Sequence, residues 1–200
     1  MALRSTATTW GSVTKALHWL IALGVIGLAT VGWIMKGLPL SPTKIQVYAL
    51  HKSVGLTVFA LVLVRLAWRI FIDTRPELPA GMPQWERRAA VLSHVLLYVV
   101  LLAMPLSGWL FNSAANFPLK WFNLFSVPSL AAPDPALKAF AGLAHFSIFW
   151  LIAVLVTVHV AAALKHHFVD RDFVLARMLP WRTAAAKNLD LSETRFKEPA

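Results

Sequence analysis

The chain contains no cysteine. That excludes iron–sulfur clusters, thioether-attached haem, disulfides and thiolate zinc sites, so any metal has to be held by histidine or carboxylate. Charge is also scarce: 14% of the 200 residues are Asp, Glu, Lys or Arg, against about 25% in a soluble domain. Acidic residues are the rarest, with 9 Asp and Glu facing 19 Lys and Arg. What fills the space is apolar, at 58% hydrophobic residues, above the soluble norm of about 45–50%. Those departures point to a membrane protein.

Four long runs carry almost no charge. They centre on Ala16 to Met35, Tyr48 to Ile72, Ala89 to Phe111 and Ala139 to Leu164, with Arg65 and Arg69 near the end of the second. Each is long enough to cross a hydrocarbon core of about 30 Å as a helix, and in lipid a spanning segment has to satisfy its own backbone. The expected fold is all-α: an integral membrane four-helix bundle with spans at about 14–36, 48–72, 89–111 and 139–166. The first run is too long for a signal-peptide core and has no small-residue cleavage site after it, so it is expected to be retained. One domain is expected over residues 1–181, followed by a polar cytoplasmic tail, 182–200.

With the N-terminus inside, 14 basic residues lie on the inner side and Lys36, Lys44, Lys52, Lys120 and Lys138 on the outer. The positive-inside rule then puts both termini in the cytoplasm, in a bacterial inner membrane. A net charge of +10 suits the anionic lipids of an inner leaflet; with four spans no nucleic-acid partner is expected. The outer segment from Asn112 to Ala141 combines four prolines with Phe117, Trp121, Phe122 and Phe125. A segment that apolar is expected to lie on the membrane face or to cap the bundle.

Five of the seven histidines fall within the spans: His18, His51, His94, His145 and His159. Ionisable groups at membrane depth are costly and functional by default. His18, His94 and His159 sort towards the inner side, His51 and His145 towards the outer. His145 and His159 are 14 residues apart, close to four turns, so both rings leave one helix face about 21 Å apart. Zinc would need further ligands that are absent, and a proton relay would need acids, which no span contains. Haem iron needs only two axial ligands from the protein, and helical bundle cores are a usual place for such a site. Two layers of histidines therefore suggest two b haems stacked across the membrane. Gly24, Gly27, Gly55 and Gly142 suit either a flat macrocycle against helix backbone or ordinary helix packing.

A series of short segments carries a resemblance. They are Lys15-Ala16-Leu17-His18-Trp19, His51-Lys52-Ser53-Val54-Gly55, Val64-Arg65-Leu66 with Arg69, and His94-Val95-Leu96-Leu97-Tyr98. Pro105-Leu106-Ser107-Gly108-Trp109, His145, His159 and Leu164-Lys165-His166-His167 follow, through Asp172, Leu175, Arg177-Met178 and Pro180. In this order and spacing, over residues 10 to 181, the chain resembles the bacterial cytochrome b561 family of di-haem membrane proteins. The resemblance implies that His18 pairs with His159 at the inner haem and His51 with His145 at the outer one. Lys52 and Gly55 come with the His51 segment, and Arg65 is expected at a haem propionate, whereas Arg69 is expected to snorkel. His94, His166 and His167 become candidates for a quinone site.

The function so implied is transmembrane electron transfer between a periplasmic-side donor and the quinone pool, with ubiquinone as acceptor. The donor is superoxide or a redox protein, and a superoxide:ubiquinone oxidoreductase is the enzymatic form of this function. Lys52, Lys120 and the other outer lysines would steer a small anion. The alternative is a cytochrome b membrane anchor for a dehydrogenase or hydrogenase.

Overall fold

The computed structural model describes residues 2–79 and 81–180; the expected tail, 182–200, lies outside the described residues. Four long helices dominate: α1 (Ser12–Gly37), α2 (Pro42–Phe71), α3 (Gln84–Ala114) and α4 (Pro135–Phe168). Between α3 and α4 lies a hairpin of β1 (Lys120–Trp121) and β2 (Phe125–Ser126), and a short α5 (Val174–Met178) follows α4. The long helices have 26, 30, 31 and 34 residues, about 39 to 51 Å at 1.5 Å per residue. α2, α3 and α4 start a turn or more before the expected spans, and α1 differs from its span by a residue or two, because polar residues at the water interface extend a helix as readily as apolar ones.

The starts of α2 and α4 are set by the same local chemistry. The Ser41 hydroxyl accepts from the Lys44 N–H at 3.2 Å, ahead of Pro42. The Asp134 carboxylate accepts from the Leu137 N–H at 2.9 Å, ahead of Pro135. A capping oxygen followed by proline satisfies an orphan donor and presets the first helical φ.

The outward faces keep large apolar side chains exposed, among them Leu23 and Ile26 on α1, Val91 and Val95 on α3, and Leu143 and Val154 on α4. In water such faces would be a liability; against lipid tails they cost nothing. The packed centre is small: Ile21, Val58 and Val62, with Leu28, Leu61, Leu101 and Leu102 around them. It draws on α1, α2 and α3 and sits midway along the bundle. Contacts between α1 and α4 run through rings: His18 meets His159, and Trp33 meets Phe149 and Trp150.

The hairpin packs along the side of α2. Trp121 pairs with Phe125 around a turn whose central residues, Phe122 and Asn123, have φ of 45° and 59°, as a primed hairpin turn requires. Asn tolerates that region, but Phe is strained there by about 1–3 kcal/mol. Anchors on α2 hold it. The Ser53 hydroxyl accepts from the Phe122 N–H at 3.0 Å, and the Trp121 indole N–H donates to the Thr57 hydroxyl at 3.0 Å. At the opposite end the N-terminal segment folds back over the α2–α3 connection. There Asp73 accepts from the Ser5 N–H at 2.7 Å, the Ser5 hydroxyl at 2.8 Å and the Thr14 hydroxyl. The two ends are called here the hairpin end and the terminal end.

Candidate functional site

One interval recurs on every long helix. His18 and Gly32 on α1, His51 and Arg65 on α2, His94 and Gly108 on α3, and His145 and His159 on α4 are each 14 residues apart. Near-integral turns return each pair to one face, about 21 Å apart. The bundle thus carries two levels. His18, Arg65, His94 and His159 lie at the terminal end, and Gly32, His51, Gly108 and His145 at the hairpin end.

At the terminal level the His18 and His159 ring centres are 6.3 Å apart, and His94 stands edge-on to His159 at 5.5 Å. Two imidazoles on opposite sides of one metal ion, each bound at about 2.0 Å, would have ring centres roughly 6.2 Å apart. The His18–His159 separation suits that bridge, and the His94 ring packs closer to His159. His94 Nδ1 lies 2.7 Å from the Ala90 carbonyl. A carbonyl only accepts, so Nδ1 carries the proton and Nε2 keeps its lone pair.

At the hairpin level the two glycines admit the rings. A Cβ on Gly32 would lie 3.1 Å from His51 Cε1, and one on Gly108 would lie 3.0 Å from His145 Cε1. His145 Nδ1 faces the Met104 carbonyl at 3.1 Å and the Ser107 hydroxyl at 3.0 Å. Again the carbonyl fixes the proton on Nδ1 and leaves Nε2 as a ligand atom, the arrangement that orients metal-binding histidines. Pro105 follows Met104 inside α3; its missing N–H frees the Leu101 carbonyl one turn earlier. The Ser107 hydroxyl bonds Met104 at 2.7 Å. His51 lies within Coulombic reach of His145, and its buried Nδ1 has no hydrogen-bond partner among the described residues. A buried nitrogen left so costs about 1–3 kcal/mol, which marks a place where a group other than protein belongs. The imidazole donor set and its two-level spacing fit haem.

The other candidates take varied places. Lys52 donates to the Asn112 side-chain oxygen at 3.1 Å and to the Pro118 carbonyl at 3.2 Å, so it ties α2 to the connection before the hairpin. A Cβ on Gly55 or Gly27 would meet nothing within 4 Å, one on Gly24 would strike Val58 at 2.7 Å, and one on Gly142 would meet Phe111 at 3.3 Å. Gly24 and Gly142 therefore serve helix packing, whereas Gly55 leaves open space one turn from His51 and Gly27 is exposed on α1. Arg65 turns inward, donating to the Thr14 carbonyl and to Tyr98; Arg69 lies over the Tyr98 ring at 5.8 Å. His166 Nδ1 donates to Asp172 at 2.6 Å, with Asp170 at 3.3 Å. The Lys165 ammonium joins Asp170 to Glu86 across α4 and α3, so the Glu86, His166 and Asp170 cluster is held together as an ion-pair network.

Gly32, Ser107 and Thr14 escaped the residue-by-residue reading of the sequence. The signal for Gly32 was present in its spacing from His18, but a glycine announces nothing until its partner is known.

The sequence is similar to those of known proteins. A family model described as prokaryotic cytochrome b561 matches residues 9–181. The chain is 35% identical over 180 residues to cytochrome b561 homolog 2 of Escherichia coli K12, covering 90% of this chain and 95% of the relative. It is 29% identical to cytochrome b561 homolog 1 of the same organism, over 83% of this chain and 94% of the relative. To the probable superoxide oxidase CybB of Yersinia pestis it is 27% identical, over 82% and 92%. Four spanning-length apolar helices, two histidine levels and a match over almost the whole chain give one conclusion: this is a membrane electron-transfer protein belonging to the prokaryotic cytochrome b561 family, whose members bind haem b.

Proposed function

We propose that the protein carries electrons across the bacterial inner membrane through two bis-histidine b haems, from superoxide on the periplasmic side to ubiquinone on the cytoplasmic side. His18 and His159 hold the inner haem and His51 and His145 the outer one, with the terminal end of the bundle in the cytoplasm. The observation that carries this reading is the 6.3 Å separation of His18 from His159, with His145 one fourteen-residue interval along α4 and bonded to the Met104 carbonyl through Nδ1, which leaves its Nε2 lone pair free.

Haem held by these histidine pairs would supply outer-sphere electron transfer. The reaction balances as two superoxide anions giving up one electron each to become dioxygen, while one ubiquinone takes up two electrons and two protons. The chain's residues fix the surroundings. Ser107 and the Met104 carbonyl hold the proton on His145 Nδ1. Ser53, Thr57 and Lys52 clamp the hairpin over the outer level. On the cytoplasmic side His166, His167 and His94 form the quinone site, where Asp172 keeps a proton on His166 Nδ1. Lys120, exposed on the hairpin, draws superoxide towards that face by its charge.

The test is an absorption spectrum of the purified protein, followed by anaerobic mixing with superoxide. A Soret band equivalent to two haems per chain, reduced by superoxide and reoxidised by ubiquinone, is expected. A colourless preparation would refute the haem assignment. Haems inert to superoxide, in a protein that co-purifies with a hydrophilic dehydrogenase subunit, would make the chain a membrane anchor.

A further inference from the structure

At the terminal level three of the four long helices offer a histidine, and α2 offers Arg65 at the equivalent register. We propose that Arg65 is a positioning residue: a fixed cation that raises the electron affinity of the inner haem site rather than binding iron or reaching to lipid headgroups. The inference rests on the inner His18–His159 site assigned above.

Arg65 is held from two sides. Its Nη1 donates to the Thr14 carbonyl at 2.8 Å, and its Nε donates to the Tyr98 hydroxyl at 3.1 Å. Thr14 is one helical turn before His18, so the same carbonyl also receives the His18 backbone N–H in a regular α-helix. The guanidinium is therefore anchored to the turn that carries a ligand, and it lies within Coulombic reach of His18, His94 and His159 together. A snorkelling arginine would spend these donors on water or phosphate; this one spends them inward.

The acid Asp73 lies within Coulombic reach of Arg65 but is bonded to Thr14 rather than to the guanidinium. Asp73 accepts from the hydroxyl of the same Thr14, whose carbonyl holds the cation, and the Trp68 indole donates to that hydroxyl at 3.2 Å. Thr14, 6% exposed, stands between the acid in the α2–α3 connection and the base in the bundle. A guanidinium stays charged under all working conditions, so its field does not depend on pH. An electron arriving beside a cation in a low-dielectric interior is stabilised, and a fixed unit charge at such range is worth about tenfold in the equilibrium constant.

The experiment is an optical redox titration of the di-haem protein in detergent. Arg65→Gln is expected to lower the reduction constant of one haem about tenfold, equal to about 59 mV for a one-electron couple, and to leave the other unchanged. Arg65→Lys, which keeps charge without the planar fork, is expected to recover most of the shift. Unmoved potentials in Arg65→Gln, or equal shifts in both haems, would overturn the proposal. Should Arg65→Gln lose the inner haem, Tyr98→Phe is read instead. It keeps the charge and the Thr14 bond, so an inner potential close to that of the parent is expected, and a fall as large as the tenfold assigned to the charge would overturn the proposal. A protein without haem refutes the assignment above; a coloured protein with unmoved potentials refutes only this inference.

Discussion

Replacing Gly108 by alanine tests the outer level at one methyl group. The added Cβ would stand 3.0 Å from His145 Cε1 and 3.2 Å from Nδ1. Comfortable carbon contacts lie at about 3.5–4.0 Å, so the ring has to retreat by ~0.5 Å. It cannot do so freely, because Nδ1 is bonded to the Met104 carbonyl and the Ser107 hydroxyl, and a further half-ångström stretches both beyond a useful hydrogen bond. One such bond is worth about 1 kcal/mol, and overpacking adds about 1–3 kcal/mol. Alanine meanwhile favours the helix by up to about 1 kcal/mol, so the fold survives while the site suffers. The expected loss is about tenfold to a hundredfold in affinity for one haem, the range seen when groups that orient metal ligands are disturbed. Haem-to-protein ratio and titration of the apoprotein with haem would measure it, with Gly37→Ala, whose Cβ meets nothing within 4 Å, as the silent control. Two haems of unchanged affinity in Gly108→Ala would refute the placement of His145 against α3 as the outer ligand geometry.

His145→Ala is expected to remove the outer haem and His159→Ala the inner one, each leaving the other's spectrum intact; loss of neither would break the pairing. Burial pushes the Asp73 carboxyl up, but hydrogen bonds from Thr14, Ser5 and Thr74 outweigh it and hold it below the ordinary carboxylate range. Its contribution is therefore complete above the unfolded value of about 3.9 and is lost as pH falls through the lower folded value. Thermal unfolding of Asp73→Asn should accordingly sit below that of the parent at neutral pH and converge with it in acid. Lys120→Glu is expected to slow haem reduction by superoxide and to reverse its salt dependence. Unchanged rate and salt dependence would remove the steering role.

Much of the fold was written locally. Ala16 to Met35 or Ala139 to Leu164 could only be helices in lipid, and the interval from His145 to His159 fixed a shared face because helical period is a property of one segment. Ser41 before Pro42 and Asp134 before Pro135 marked helix starts in the same local way. The hairpin was less legible: Phe122 at positive φ runs against its own preference, and only the anchors on Ser53 and Thr57 hold it there.

What one segment cannot encode is its rotation against another. The sequence put His18 and His94 at one depth; the bundle sets one at 6.3 Å and the other at 5.5 Å from His159. Lys52 looked like a surface charge and is bonded to Asn112 and Pro118, and Arg65 turned inward to Thr14 and Tyr98. The glycine uses divided in the same way, Gly24 against Val58 and Gly32 against His51. Period and hydropathy act within a helix and are readable from order alone, whereas tautomers, ring separations and close backbone approaches arise between helices, from crossing angles and side-chain shapes that exist only once the bundle has packed.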